Sequence, residues 1–409
     1  MVNRGVGSLG GRCFLAAFCT LLLGGLVGQS QPAWAQKAPI KIGMLYGLTG
    51  VYAFPSKHGV QGAKLAFEEA NNEVAGRKIE TIVEDDQSPQ VAVGVTKARK
   101  LVEKDRVHAI MGIIWSPTGV AVSEYMKTVE TPLILTESAA RIITQEKRHA
   151  YVFRTSFASG QMTMPFGEYA CKKFGYKRAV AFSFDSVYGR DEAASFAQGC
   201  EQGGGKVIEQ IFAPVRTPDM APYLTQIQAL NPDAVWALWS GQNAIRFLTQ
   251  YKEFGLKGKI PLLGAGDLST DEVLAQVPEA AEGMLSYERY TTSYDSPENK
   301  RFIQAYTQKY GMPPAIYAAS GYLTAKIILM ALQSINGNVE DKPAFLQALR
   351  KVQMKDSNRG PWRFDAYQNA VSDLYVFKPT RQSDGKVRNE IIHVMKNLEQ
   401  YWPSGKPKE

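Results

Sequence analysis

The chain has 409 residues, 45% of them hydrophobic and 21% charged. That is the composition of an ordinary soluble globular protein, and it is too long for one compact core, so two domains are the natural reading. The formal charge of +8 comes from scattered basic residues, and "TKARKLVEKDR" mixes both signs on one helix. A solvated face is favoured over a nucleic-acid patch, and no nucleic-acid partner is expected.

The N-terminal segment stands apart. Arg4 and Arg12 precede or open an apolar run from Cys13 to Val27, and Ala33-Trp34-Ala35 follows. This is the n-region, h-region and A-x-A pattern of a secretory signal peptide, so residues 1–35 are expected to be removed and the mature chain exported to the periplasm. The run is shorter than the about 18 residues a membrane span needs, and no later segment reads as one. Cys19 lies inside it behind bulky Phe18, where a lipoprotein signal calls for a small residue, so lipid attachment is disfavoured. Loss of the leader removes two arginines and no acid, taking the formal charge from +8 to +6. Cys171 and Cys200 remain, on two successive predicted helices flanking "RAVAFSF". A disulfide and a pair of buried thiols both fit.

From residue 40 on, short apolar strands alternate with amphipathic helices. "IKIGMLY" precedes a helix on which Val60, Ala63, Phe67, Ala70 and Val74 share a face. Strand "KIETIVEDD", a helix from about Pro89 to Glu103, strand "VHAIMGII", a helix from Pro117 and strand "TPLILT" follow. After "YVFRTS" the pattern starts again: helices over 161–174, 189–202, 219–230 and 241–254 interleave with strands 178–184, "KVIEQIF", "DAVWALW" and "IPLLG". Helices are then predicted over 297–310, 315–335 and 342–352, and "RGPWRFDAYQNAVSDLYVF" reads as short strands. This alternation predicts an α/β protein of two Rossmann-like, doubly wound lobes. The absence of a Gly/Ser linker favours lobes joined by several short crossings.

In open α/β sheets, ligands bind beyond the carboxyl ends of the strands. At "IIWSPTG", Ser116 is a good N-cap and Pro117 a good first helical residue, and free N–H groups there can receive a carboxylate. Thr118 adds a second hydroxyl. The second series repeats the arrangement in "AVWALWSGQNAI", so Trp115-Ser116 and Trp239-Ser240 hold matching positions. Trp236 lies an odd number of residues from Trp239 and is assigned to core packing. Thr136, Glu137, Ser138, Asp185, Tyr188 and Asp267 also follow strands, and the first loop carries Tyr52, Phe54 and His58. Each alone is a cap or turn residue; together on one edge of two sheets they predict a cleft.

In order and spacing these features resemble the type I periplasmic solute-binding proteins of branched-chain amino acid and amide ABC importers. The resemblance covers nearly all of the mature chain. It is carried by "IKIGMLYGLTG", "GAKLAFEEANN", "VEDDQSPQVAVGVTKARKLVEKDRVHAIMG", "YVFRTS", "DSVYGRD" and "GPWRFD". It implies three crossings, near Phe153–Ser156, Leu285–Arg289 and Arg359–Phe364. One lobe would hold 36–155 and 286–360, the other 156–285 and 361–409, and the two would close on ligand by hinge motion. The family's carboxylate-receiving positions match Ser116 and Ser138, Ala139 and Ala140. Its second-lobe tyrosine matches Tyr188, and its second contact tyrosine falls at Ser240, beside Trp239. Its ammonium-binding acid falls at Gly266, next to Asp267. That departure puts an α-amino acid ligand in question; Glu137 or Asp185 could serve instead, while the tryptophans suggest a flat or bulky group such as an aromatic acid.

Catalysis is disfavoured. The four histidines do not pair clearly with a serine, "WSPTG" lacks the Gly-x-Ser-x-Gly elbow, and no His-Glu-x-x-His, Cys-x-x-Cys or phosphate loop occurs. The expected protein is therefore a monomeric receptor for one small carboxylated solute, without cofactor, that delivers to permease subunits in the inner membrane. An extracytoplasmic sensor of the same fold is the alternative, and a secreted hydrolase a remote one. Ser116, Ser138 and Tyr188 lead the expected site; Trp115, Trp239, Asp267 and Phe54 stand behind them.

Overall fold

The computed structural model describes residues 37–402 and residue 405. The expected leader, residues 1–35, lies outside the described residues. The first lobe begins with β1 (Ile40–Tyr46), α1 (Ala53–Glu69), β2 (Glu73–Val74), β3 (Arg77–Asp85) and α2 (Val91–Arg99). It continues through β4 (Ala109–Gly112), α3 (Ser116–Val129), β5 (Leu133–Leu135) and β6 (Val152–Arg154). The strands pair in the order β2-β3-β1-β4-β5-β6, all parallel except the β2–β3 hairpin. Along β1 the side chains alternate between two cores: Ile42 and Met44 join one cluster and Leu45 the opposite one. Both faces of this sheet are thus covered, which is why its strands read as nearly unbroken apolar runs.

The second lobe holds α4 (Thr163–Phe174), β7 (Arg178–Phe184), α5 (Val187–Gln202), β8 (Lys206–Ala213), α6 (Ala221–Leu230) and β9 (Ala234–Trp239). It goes on with α7 (Gln242–Glu253), β10 (Leu262–Gly266), α8 (Asp271–Gln276), α9 (Pro278–Ala281) and β11 (Leu285–Glu288). Three helices then pack on the first sheet: α10 (Pro297–Tyr310), α11 (Ile316–Ser334) and α12 (Lys342–Lys351). Finally β12 (Gln353–Met354), β13 (Trp362–Phe364), β14 (Ala370–Arg381) and β15 (Val387–Leu398) join the second sheet. Its order is β12-β13-β14-β11-β10-β9-β7-β8, with β15 on β14. The stretch from β11 to β8 is parallel and the remainder antiparallel.

The chain passes between the lobes after β6, after β11 and after α12. By sheet membership β11 belongs to the second lobe, so the second passage begins at Arg289. The third passage precedes β12, which already pairs with β13, although Trp362 and Phe364 still pack into the first lobe's core. β11, β15 and the α8–α9 pair are absent from the expected elements. The strand β15 escapes because most of its residues are at least partly exposed, so no apolar alternation marks it.

Two features set how tightly the lobes are built. On α1 and α11 the backbones touch: a Cβ on Gly62 would lie 1.9 Å from the Ala318 carbonyl oxygen, and one on Gly321 would lie 2.0 Å from that of Gly59. Contrary to the expectation that no later segment reads as a span, α11 is long and apolar enough to cross a membrane, but most of it is buried inside the lobe. In the second lobe Cys171 and Cys200 are bonded, joining α4 to the end of α5 with a Cα–Cα distance of 5.2 Å.

The buried core of the second lobe also contains an acid. The Glu192 carboxylate accepts the Gly160 N–H at 3.0 Å and the Thr163 hydroxyl, which also contacts the Tyr287 hydroxyl at 2.7 Å. Burial nonetheless raises its pKa from 4.5 to about 7. The folded state therefore keeps a proton that the unfolded chain releases. This contribution to stability is full below pH 4.5 and is lost as pH rises to about 7. A shift of that size corresponds to about 3 kcal/mol. We expect Glu192→Gln to flatten the decline in melting temperature over that range and to melt above wild type at pH 8. Melting curves from pH 4 to 9 check this; an unchanged slope would count against a buried, protonated Glu192.

Candidate ligand cleft between the lobes

The parallel strands of both sheets end toward a common seam, and contacts across it identify the residues that meet there. Tyr317 on α11 donates its hydroxyl to Asp267 Oδ1, just past β10, at 3.0 Å. Arg289 Nη2 meets Glu137 Oε2, just past β5, at 2.6 Å.

The first-lobe wall is built from two strand ends. Trp115 precedes α3 in extended conformation, half-buried, with its ring 5.6 Å from that of Tyr52. Trp115 occupies the N-cap position, and the Ser116 hydroxyl makes no cap bond. It accepts instead from the N–H groups of Ala139 and Ala140, at 3.1 and 3.2 Å. The expected role of Ser116 as a cap is thus corrected: two donors on the neighbouring loop claim its oxygen. Two N–H groups and a hydroxyl consequently converge at one point. The Ser138 hydroxyl lies over Gly119 on α3, where an added Cβ would fall 2.0 Å from Ser138 Oγ, and is buried without a hydrogen-bond partner. The Thr118 methyl lies against Gly94 on α2, where an added Cβ would fall 2.4 Å from it.

The second-lobe wall is aromatic. Tyr188, at the start of α5, lies 6.4 Å from the Phe157 ring and 6.2 Å from that of Phe184. Burial pushes its hydroxyl pKa well above the ordinary value, so it remains a neutral donor and acceptor.

Arg289 forms the floor. Its guanidinium lies 4.7 Å from the centre of the Phe157 ring and also reaches Glu288 Oε2 at 3.2 Å and Ser320 Oγ at 3.3 Å. Burial works against the charge, but Glu137 and Glu288 outweigh it and the guanidinium pKa is raised. Burial lifts Glu288 to about 7 despite that neighbour. Glu137 Oε1 and Arg289 Nε are buried without a hydrogen-bond partner.

Asp267 is half-buried and committed on both oxygens, to the Gly241 N–H at 3.0 Å and to Tyr317. Burial raises its pKa even so. Gly266, at the family's acid position, has φ +65°, and a Cβ there would lie 2.8 Å from Leu238 Cδ1. Glycine is suited to that left-handed conformation and an acidic side chain is not. Asp185 is exposed and paired with Arg190 at 2.7 Å.

Three expected contacts stand elsewhere. Trp239 is fully buried, with ring centroids 5.0 Å from Phe182, 6.1 Å from Phe184 and 6.3 Å from Phe247. It is a core residue, because β9 is an interior strand with helices on both faces; the separation of Trp236 and Trp239 to opposite faces is correct, but each face is covered. Ser240 is exposed. Phe54 is 52% exposed and packs on His58, 4.5 Å away. Conversely, Phe157, Arg289 and Tyr317 were not singled out from sequence. Arg289 carried a usable signal, a charge directly after the apolar strand "MLSYE"; Tyr317 carried none.

Among the described residues one serine–histidine pair occurs, Ser123 Oγ and His149 Nε2 at 2.9 Å. His149 Nδ1 accepts the Tyr151 N–H at 3.2 Å, so Nε2 bears the proton and Ser123 is the acceptor. That polarity is the reverse of what activates a serine nucleophile. Among the described residues no group of three or more His, Cys, Asp or Glu could hold a metal ion.

The sequence profile of the periplasmic binding protein family matches residues 39–386. The Leu/Ile/Val-binding protein homolog 6 of Brucella melitensis is 27% identical over 357 residues, 86% of this chain and 90% of that one. An ABC transporter substrate-binding protein from Sphaerobacter thermophilus superposes with a TM-score of 0.85 at 35% identity, covering 88% of this chain and 99% of its own. A solute-binding protein from R. palustris, solved in complex with benzoate, superposes at 0.81 with 26% identity, covering 89% and 98%.

Proposed function

Since the chain belongs to the periplasmic binding protein family, whose members bind solutes and catalyse no reaction, we propose that it is the receptor of an ABC importer and captures a small aromatic carboxylic acid between its lobes. The observation that carries this reading is the convergence of the Ala139 and Ala140 N–H groups on the neutral Ser116 hydroxyl oxygen, which an incoming carboxylate would displace as the stronger acceptor, beside the ring pairs Tyr52–Trp115 and Phe157–Tyr188. A carboxylate is a strong acceptor for paired N–H donors. The rings supply apolar area to a flat ligand. Hinge closure then excludes water. An ammonium group finds less to meet: Asp267 is taken on both oxygens, Asp185 is paired, and the family's acid position is a glycine. The R. palustris relative solved with benzoate supports the same ligand class.

The receptor works as a monomer without cofactor in the periplasm, its leader removed after Ala35, and hands solute to permease subunits in the inner membrane. One observation favours a second reading: buried, unpartnered Glu137 Oε1 could accept from an amine, in keeping with the name of the Brucella relative. The two readings part in a thermal-unfolding panel of benzoate, 4-hydroxybenzoate, leucine and valine. Ligand at about a thousand times its Kd stabilises by about 4 kcal/mol, a rise of several degrees. We expect that rise with an aromatic acid. A rise with leucine or valine and none with the aromatic acids would overturn the first reading in favour of the second.

A further inference from the structure

Resting on the reading of Ala139 and Ala140 as the carboxylate cradle, we propose that a buried polar relay, Gln400–Thr144–Arg154, sets the orientation and strength of the Ala139 N–H group and makes the first lobe's cradle depend on the tail of the second. Arg154 closes β6 and is fully buried. Burial lowers its pKa to about 9, which leaves it charged at neutral pH.

Its guanidinium donates from Nε to the Ser138 carbonyl at 2.8 Å and from Nη2 to the Ala140 carbonyl at 2.5 Å. The Ser138 carbonyl shares one planar peptide with the Ala139 N–H, so fixing one end fixes the direction of the other. A cationic donor on the carbonyl also polarises that peptide and strengthens its N–H as a donor. Arg154 is therefore a positioning residue: it acts on a ligand only through the peptide it holds.

Arg154 is held in turn. Nη1 donates to Asn369 Oδ1 at 3.0 Å and to Thr144 Oγ1 at 2.7 Å. The single Thr144 hydroxyl proton goes on to Gln400 Oε1, at 3.0 Å. Gln400 lies just beyond β15, the last strand of the second lobe, and its amide donates to Asp365 Oδ2 at 2.8 Å. Gln145 secures the same tail by donating to the Tyr401 carbonyl at 2.6 Å. Thr144, Arg154 and Gln400 are all buried, so water cannot replace a missing member without cost.

The test uses Thr144→Val and Gln400→Met, which remove relay atoms at nearly constant shape, and Thr144→Ser, which restores the hydroxyl. Arg154 itself supports too much of the core to be replaced cleanly. Hydrogen exchange at the Ala139 and Ala140 amides is read without ligand, alongside benzoate affinity. We expect the Ala139 amide to exchange about tenfold faster in the valine and methionine variants, equivalent to about 1.4 kcal/mol, with the serine variant close to wild type and Ala140, whose peptide carbonyl is held by Ser159, little changed. Benzoate should bind those two variants about tenfold more weakly by the same arithmetic. Unchanged exchange at the Ala139 amide overturns the relay whatever benzoate does. Acceleration spread across the lobe also overturns it, since that marks a purely structural role. If wild type ignores benzoate, the ligand assignment fails and the amides still decide the relay.

Discussion

Arg289→Met is expected to lower the melting temperature by about 10 °C at pH 8, because losing one partner of a buried ion pair costs about 3–5 kcal/mol and each kcal/mol moves a lobe of this size by about 2–4 °C. The side chains of Arg289 and Glu137 are only 4% and 7% exposed. Without the guanidinium, Glu137 and Glu288 face each other across the seam with no compensating charge. Glu288, whose pKa burial already raises to about 7, can escape by taking up a proton, so the penalty should shrink as pH falls toward 5. The double variant Arg289→Met/Glu137→Gln should recover part of the loss at pH 8, since it removes a stranded carboxylate together with its partner. Melting curves at pH 5 and pH 8 test both points. A drop of under about 2 °C at pH 8 would mean that the seam admits enough water to screen the pair.

Gly62→Ala tests a contest between two opposed effects. In an exposed helix the substitution stabilises by about 0.5–1 kcal/mol, because alanine loses less backbone entropy. Here the new methyl would sit 1.9 Å from the Ala318 carbonyl oxygen, which is backbone on a helix packed on both sides. Separating α1 from α11 to admit it disturbs the whole interface, and overpacking of this kind costs about 1–3 kcal/mol or more. We expect a net loss of about 2 kcal/mol in urea denaturation, with Gly321→Ala behaving alike. The double variant should cost less than the sum, because one helix displacement relieves both clashes. A stabilised Gly62→Ala protein would show that the helices separate easily.

The alternation of strands and helices was legible because it is local: apolar periodicity and capping residues act within a few positions of the chain. The seam was only partly legible. Ala139 and Ala140 were candidates because the family resemblance implies them, and Ser116 and Tyr188 because they follow strand ends. Trp239 misled for the same reason, since a tryptophan closing an interior strand looks alike whether it faces solvent or a covering helix. Tyr317 and Arg289 reach the seam from segments far from the residues they touch, and pairing over such separations leaves no periodic trace. Glu192 is a comparable case, an acid on the buried side of an otherwise ordinary helix.

The contact between α1 and α11 also bears on the order in which the chain can fold during synthesis. The apolar face of α1 is covered by a helix about 250 residues later; Tyr306, just before that helix, already bonds Gln61 across a separation of 245. A ribosome at about 5–20 residues per second needs tens of seconds to bridge that interval. Through it the first sheet has β1 and β3 but lacks the helices that bury one of its faces. The parallel strands of the second lobe, by contrast, emerge within one continuous stretch from β7 to β11. The lobe that begins first is thus completed late, and its apolar face stays available to a chaperone or a secretion factor until residues 297–351 arrive.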